Sequence, residues 1–133
     1  MDIEILENSG DVLHLGFVGR IVRDNHCPLN ACFEQVLGPR GYSQTVIVDM
    51  HRATFIDSAG LSFLILSHKR FLQEGGKLIF HSLSPAVRTL FETMGLQQLF
   101  FLAENREEAL RLAESKSPPL PNSVAKRPTP YTD

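Results

Sequence analysis

Apolar residues recur along the chain with two periods. Ile3 and Ile5, then Leu13, Leu15 and Phe17, alternate with polar residues or glycine, the period of a half-buried strand. Asn8-Ser9-Gly10-Asp11 between them is turn chemistry, so an antiparallel hairpin is expected to open the fold. Leu29, Cys32, Phe33, Val36 and Leu37 then recur at helical spacing, and Gly38-Pro39 ends that helix. Cys32 sits on the stripe and is expected to be a core thiol. Val46-Ile47-Val48 is a continuous β-branched run, as in a strand covered on both faces, ending at Asp49. A loop over Met50 to Ile56 is expected next, then a helix from about Ser58 to Glu74 stopped by Gly75-Gly76.

The alternation continues. Leu78-Ile79-Phe80 predicts a buried strand, and Ser84-Pro85 an N-cap and first-turn proline. Val87, Leu90, Phe91 and Met94 form the stripe of that helix, closed by Gly95. Leu99 to Leu102 predicts a last strand, and Asn105 caps a final helix burying Ala109, Leu110 and Ala113. The order is ββαβαβαβα, an α/β fold with a mixed, mostly parallel sheet and packed helices.

Composition changes near Ser115. Residues 1–114 read as one domain, whereas residues 115–133 hold five of the eight prolines and no apolar period. That proline-rich segment reads as a flexible tail, either a solvated terminus or a ligand for a partner's groove. Thirteen Lys and Arg against fifteen Asp and Glu give a net charge of −2, which speaks against direct nucleic-acid binding. No apolar run approaches bilayer length and Met1-Asp2-Ile3-Glu4 is unlike a secretion signal. A cytoplasmic protein without membrane insertion is expected. Two cysteines cannot build a multi-bridge framework.

The most informative stretch is Asp57-Ser58-Ala59-Gly60-Leu61, where a helix starts beyond the carboxyl end of a strand. Unpaired amides and a positive potential gather at such an edge. Ser58 alone reads as an N-cap, and Asp57 could cap one residue earlier. On a helical wheel Leu61, Leu64, Ile65, Phe71 and Leu72 share one arc, the expected core face, with His68 inside it. Phe63 and Leu66 point away, beside Ala59, Ser62 and Arg70, so they are either an interface or covered by a neighbouring helix. No nucleophile elbow, phosphate loop or metal-ligand spacing occurs, so no catalytic residue, cofactor or metal is expected.

Val48-Asp49 and Phe55-Ile56-Asp57-Ser58-Ala59-Gly60-Leu61, together with Glu74-Gly75-Gly76-Lys77-Leu78, Leu83 to Arg88, Met94-Gly95-Leu96 and Phe17 to Ile21, resemble the STAS family, the anti-sigma factor antagonists. The resemblance covers roughly residues 3 to 114. It implies a STAS-like domain regulated by phosphorylation of Ser58. The agent would be a serine kinase that doubles as the anti-sigma factor, and a phosphatase would reset the cycle. Asp57, Ser58, Ala59, Gly60, Ser62, Phe63 and Leu66 are then the expected partner-binding residues, with Gly60 admitting a partner's backbone. A homodimer is compatible with the sequence. The alternative is a binding module of the same fold that is never phosphorylated, a scaffold or an accessory subunit of a membrane transport complex. Val22 to Pro28 and Gly38 to Gln44 depart from the family pattern and alter the surface beside the sheet edge.

Overall fold

The computed structural model describes residues 2–24 and 28–114; the proline-rich segment 115–133 lies outside them. Strand β1 (Asp2–Asn8) pairs antiparallel with β2 (Val12–Ile21), forming the expected hairpin. Helix α1 (Leu29–Leu37) and a 3-10 segment (Gly38–Ser43) lead into β3 (Thr45–Asp49). Then come β4 (Ala53–Ile56), α2 (Ser58–Gln73), β5 (Lys77–His81), α3 (Pro85–Thr93), β6 (Phe101–Ala103) and α4 (Arg106–Glu114). The sheet runs β1-β2-β3-β5-β6, and every pairing except the hairpin is parallel.

The alternation of side chains along the strands makes two layers. Leu13, Leu15 and Phe17, Val46 and Val48, and Leu78 and Phe80 share one face, where they pack with Phe33, Leu64, Phe71, Val87 and Phe91 from α1, α2 and α3. The other face carries Ile47, Ile79, Phe101 and Ala103 beneath Ala109 of α4. The caps read at Ser84 and Asn105 are in place. The Val87 amide donates to Ser84 Oγ (3.4 Å) and the Glu108 amide to Asn105 Oδ1 (2.9 Å). Lys77, buried at the start of β5, donates its ammonium to the Leu112 and Ala113 carbonyls at the end of α4, where a cation offsets the dipole.

Three local expectations are corrected. Residues 50–56 are not all loop, because Ala53–Ile56 adds a sixth strand, β4, on the far half of β2. β2 has ten residues; its first half pairs with β3, and the register shifts at Gly19, whose φ of 85° is open to glycine. Beyond that bend β2 is free to take β4. The last strand lies later than expected, since Leu96–Gln98 forms a 3-10 turn and β6 begins at Phe101. Cys32 is half-buried and disulfide-bonded rather than a core thiol. The buried seats of the α1 stripe belong to Leu29, Phe33 and Leu37.

Candidate functional site

The β2–β4 pairing sets the position of Asp57 and Ser58. The Asp57 amide donates to the Ile21 carbonyl (3.2 Å), tying the start of α2 to the end of β2. The Asp57 side chain then serves both elements. Its Oδ1 accepts from the Gly60 amide (2.7 Å) as the N-cap of α2, and its Oδ2 accepts from the Arg23 amide (3.2 Å) just past β2. The Gly60 amide, then the amides of Arg23 and Ala59 and the Arg23 charge, hold its carboxyl below the usual carboxylate range.

The cap is therefore Asp57, and Ser58 is the first residue of the helix. Ser58 is exposed, and its hydroxyl makes no hydrogen bond to any described residue. A hydroxyl not spent on capping is open to a reagent from solution.

The expected partner-binding residues divide. Ala59 is half-buried and Ser62 exposed, and both line an open groove of about 710 Å³ with Arg23, Leu29 and Leu66. Leu66 is 56% exposed, as expected. Phe63 is not, since it is 4% exposed and packs edge-on against Phe33 of α1 (5.5 Å between ring centroids) and beside Phe17. The neighbouring-helix alternative holds for it. Gly60 is buried too. A Cβ there would stand 2.1 Å from the Ile21 carbonyl oxygen, so the backbone it admits is that of β2, not of a partner.

These two corrections have one cause. α2 rests on β2 through Gly60, and that contact turns its buried face to Gly60, Phe63, Leu64, Ser67, His68 and Phe71. Leu72, expected in the core, is turned out to 43% exposure. Leu61 and Ile65 are left half-buried.

Arg23 is the residue that sequence reasoning missed. Its segment stood out as irregular, but no motif marks it. Structure alone shows that its amide meets the Asp57 carboxylate while its exposed side chain borders the groove.

A second cluster lies on the α4 face. His14 and His81 are buried with their Nε2 atoms 3.0 Å apart, and His81 Nδ1 is 2.8 Å from Ser82 Oγ. Asp49 Oδ1 accepts from His51 Nδ1 at 2.7 Å nearby. Burial pushes the His14 pKa down, and that of His81 down to about 4. Among the described residues no group of three or more His, Cys, Asp or Glu could hold a metal, and no helix is long and apolar enough to cross a membrane.

Fold and site together define a small mixed α/β domain that presents a serine at the first position of a helix. The STAS domain model matches residues 5–109, and the chain belongs to the STAS domain family. It is 39% identical over 64 residues to BtrV of Bordetella bronchiseptica, named as an anti-sigma factor antagonist; that match covers 48% of this chain and 55% of BtrV. The chain thus spans about half the length of that relative. Its fold matches the anti-sigma factor antagonist SpoIIAA in its unphosphorylated form (TM-score 0.63, 21% identity, 87% of this chain and 100% of that one). It also matches part of the murine anion transporter Slc26a9 (TM-score 0.64, 15% identity, 81% of this chain and 18% of that one).

Proposed function

We propose that this protein is an anti-sigma factor antagonist of a bacterial partner-switching circuit, acting in the cytoplasm. Unphosphorylated, it binds a serine kinase that is also an anti-sigma factor. Phosphorylation of Ser58 releases it, and a partner phosphatase restores it. The observation that carries this reading is the division of labour at the start of α2: Asp57 caps the helix, and Ser58 is left exposed with no hydrogen-bond partner among the described residues. The likeness to BtrV, by its name, supports the same reading.

The chemistry asked of this chain is small. The Ser58 hydroxyl attacks the γ-phosphorus of ATP held by the kinase. The new bond joins Oγ to phosphorus, the bond to the β,γ-bridging oxygen breaks, ADP leaves, and a base on the kinase takes the hydroxyl proton.

The switch follows from charge. A phosphate adds about 1.5–2 negative charges and three acceptor oxygens. At a helix N-terminus that charge is favourable for the helix, so the fold keeps its stability. Against a docked surface that buries it without a cation it costs several kcal/mol, to which the Asp57 carboxylate adds repulsion. A loss of about 3–4 kcal/mol weakens binding several-hundred-fold, enough to free a micromolar partner. Contact would fall on exposed Ser58, Ser62 and Leu66 and on half-buried Asp57 and Ala59 between them.

The test uses wild type, Ser58→Ala and Ser58→Asp as baits in native lysate. An ATP-binding serine kinase recovered by the first two and lost with Ser58→Asp, at equal melting temperatures, supports the proposal. The same proteins on all three baits would sink it and favour a scaffold or transporter-associated module.

A further inference from the structure

Arg23 is placed for a task that the partner-switching cycle leaves unassigned. Most other arginines of the described domain are committed. Arg52 pairs with Glu4, Arg70 with Glu34 and Glu74, Arg88 with Glu104, and Arg106 with Glu7. Arg40 donates to the Gly10 carbonyl, and Arg20 lies over the Phe55 ring, 5.2 Å from its centroid. The Arg23 guanidinium is exposed and makes no ion pair or hydrogen bond with any described residue. Its backbone is nevertheless fixed, because the Arg23 amide is held by Asp57 Oδ2, one residue before Ser58. Arg23 also borders the same groove as Ala59 and Ser62, the neighbours of Ser58 on α2, and is the cation among the described residues that line it.

We propose that Arg23 is the intramolecular receptor for the phosphate on Ser58, and that phosphorylation draws its guanidinium out of the groove and onto that phosphate. This rests on Ser58 being the phospho-acceptor. The planar fork of an arginine fits two phosphate oxygens at once, and such charge-assisted pairs are about twice as strong as neutral hydrogen bonds. The Arg23 charge already acts on the neighbouring Asp57 carboxylate. A dianion one residue further on is the stronger attractor. Both Asp57 oxygens are occupied by backbone amides, so its carboxylate has less to offer the guanidinium than a free phosphate has.

The consequence is a switch with two parts. The modified serine carries a new charge, and the groove beside it loses the cation that faced the partner. Release therefore needs no rearrangement of α2 or of the sheet, only one side chain changing its contact. Phosphorylated and unphosphorylated forms should share one backbone structure.

The test reads the phosphate itself. Phosphoserine is installed at position 58 during translation, so no kinase is needed. Its second ionisation is followed by phosphorus NMR against pH in wild type, Arg23→Ala, Arg23→Gln and Arg20→Ala. A guanidinium in contact favours the dianion and lowers that pKa. Both Arg23 variants should therefore titrate about one unit higher than wild type, and Arg20→Ala should titrate with wild type. Added salt should narrow the difference. Equal titration of wild type and both Arg23 variants overturns the clamp, as does a shift of the same size in Arg20→Ala. Arg23 serves the fold through its backbone amide, so the unphosphorylated variants should melt with wild type, which excludes misfolding as the cause of a shift. Because the modified residue is supplied synthetically, the clamp can fail while kinase binding stands. A bait experiment without a kinase would, in turn, leave the titration result untouched.

Discussion

Asp57 and Ser58 are neighbours with opposite fates. One is consumed by structure and the other is left over. Asp57 accepts from two backbone amides on two different elements, so Asp57→Ala removes both bonds and should lower the melting temperature by several degrees in a thermal scan. Ser58→Ala should leave it unchanged. Phe63 and Leu66 divide in the same way. Phe63→Ala opens a cavity between Phe17 and Phe33 and should cost about 3–5 kcal/mol in urea unfolding. Leu66→Ala should stay within about 0.5 kcal/mol and weaken partner binding instead. Local spacing and chemistry made the start of α2 and the outward turn of Leu66 legible, but not that the cap is Asp57 rather than Ser58. The sequence could not show that Phe63 is covered, because the covering ring belongs to Phe33 on another helix. Arg23 was illegible for a related reason, as its amide finds Asp57 only after β4 has docked on β2.

At the scale of elements, the least legible piece is also the one that positions the site. β4 has four residues, two buried and two exposed, too few for a period to stand out between Asp49 and Asp57. It forms because the bend at Gly19 leaves the end of β2 without a partner. The longer elements were all readable, and their caps at Ser84, Asn105 and Gly95 fell where the chemistry of turns put them. The rotation of α2 was not, because it is fixed by a backbone contact across the sheet. Gly60 makes that contact, and a methyl group there would press on the Ile21 carbonyl and on Ile56. Gly60→Ala should cost about 3 kcal/mol or more, measured by urea unfolding, and should loosen partner binding only through the fold. Gly60→Ala that melts with wild type would mean that α2 does not rest on β2 as described.

Across the whole molecule, the sheet carries helices on both faces, and the second face holds a titratable pair. His14 of β2 lies on the α4 side of the sheet and is buried there. Its Nε2 is hydrogen-bonded to that of His81, which burial holds at a pKa of about 4, while Asp49, Glu7, His51 and Arg106 act on the pair from around it. The sign is set by where protons bind more readily. Below pH 6.5 the unfolded chain takes up protons that the buried histidines refuse, so stability falls as pH drops from about 6.5 toward about 4. For His81 the loss should approach about 3 kcal/mol across that window, read from urea unfolding at pH 7 and pH 4.5. His81→Gln should flatten the slope; an unchanged slope would place the acid sensitivity elsewhere.

The switch turns on Ser58 as an exposed hydroxyl that no described residue engages, and one measurement addresses that directly. The purified protein and its Ser58→Ala variant are incubated with native lysate and ATP, recovered, and mapped by tandem mass spectrometry. One phosphate on Ser58, with Ser62 and Ser67 unmodified and nothing on the variant, is the predicted result. A chain that takes no phosphate, or takes it elsewhere while Ser58 stays bare, would contradict the phospho-switch and leave a STAS domain that binds without being switched at this serine.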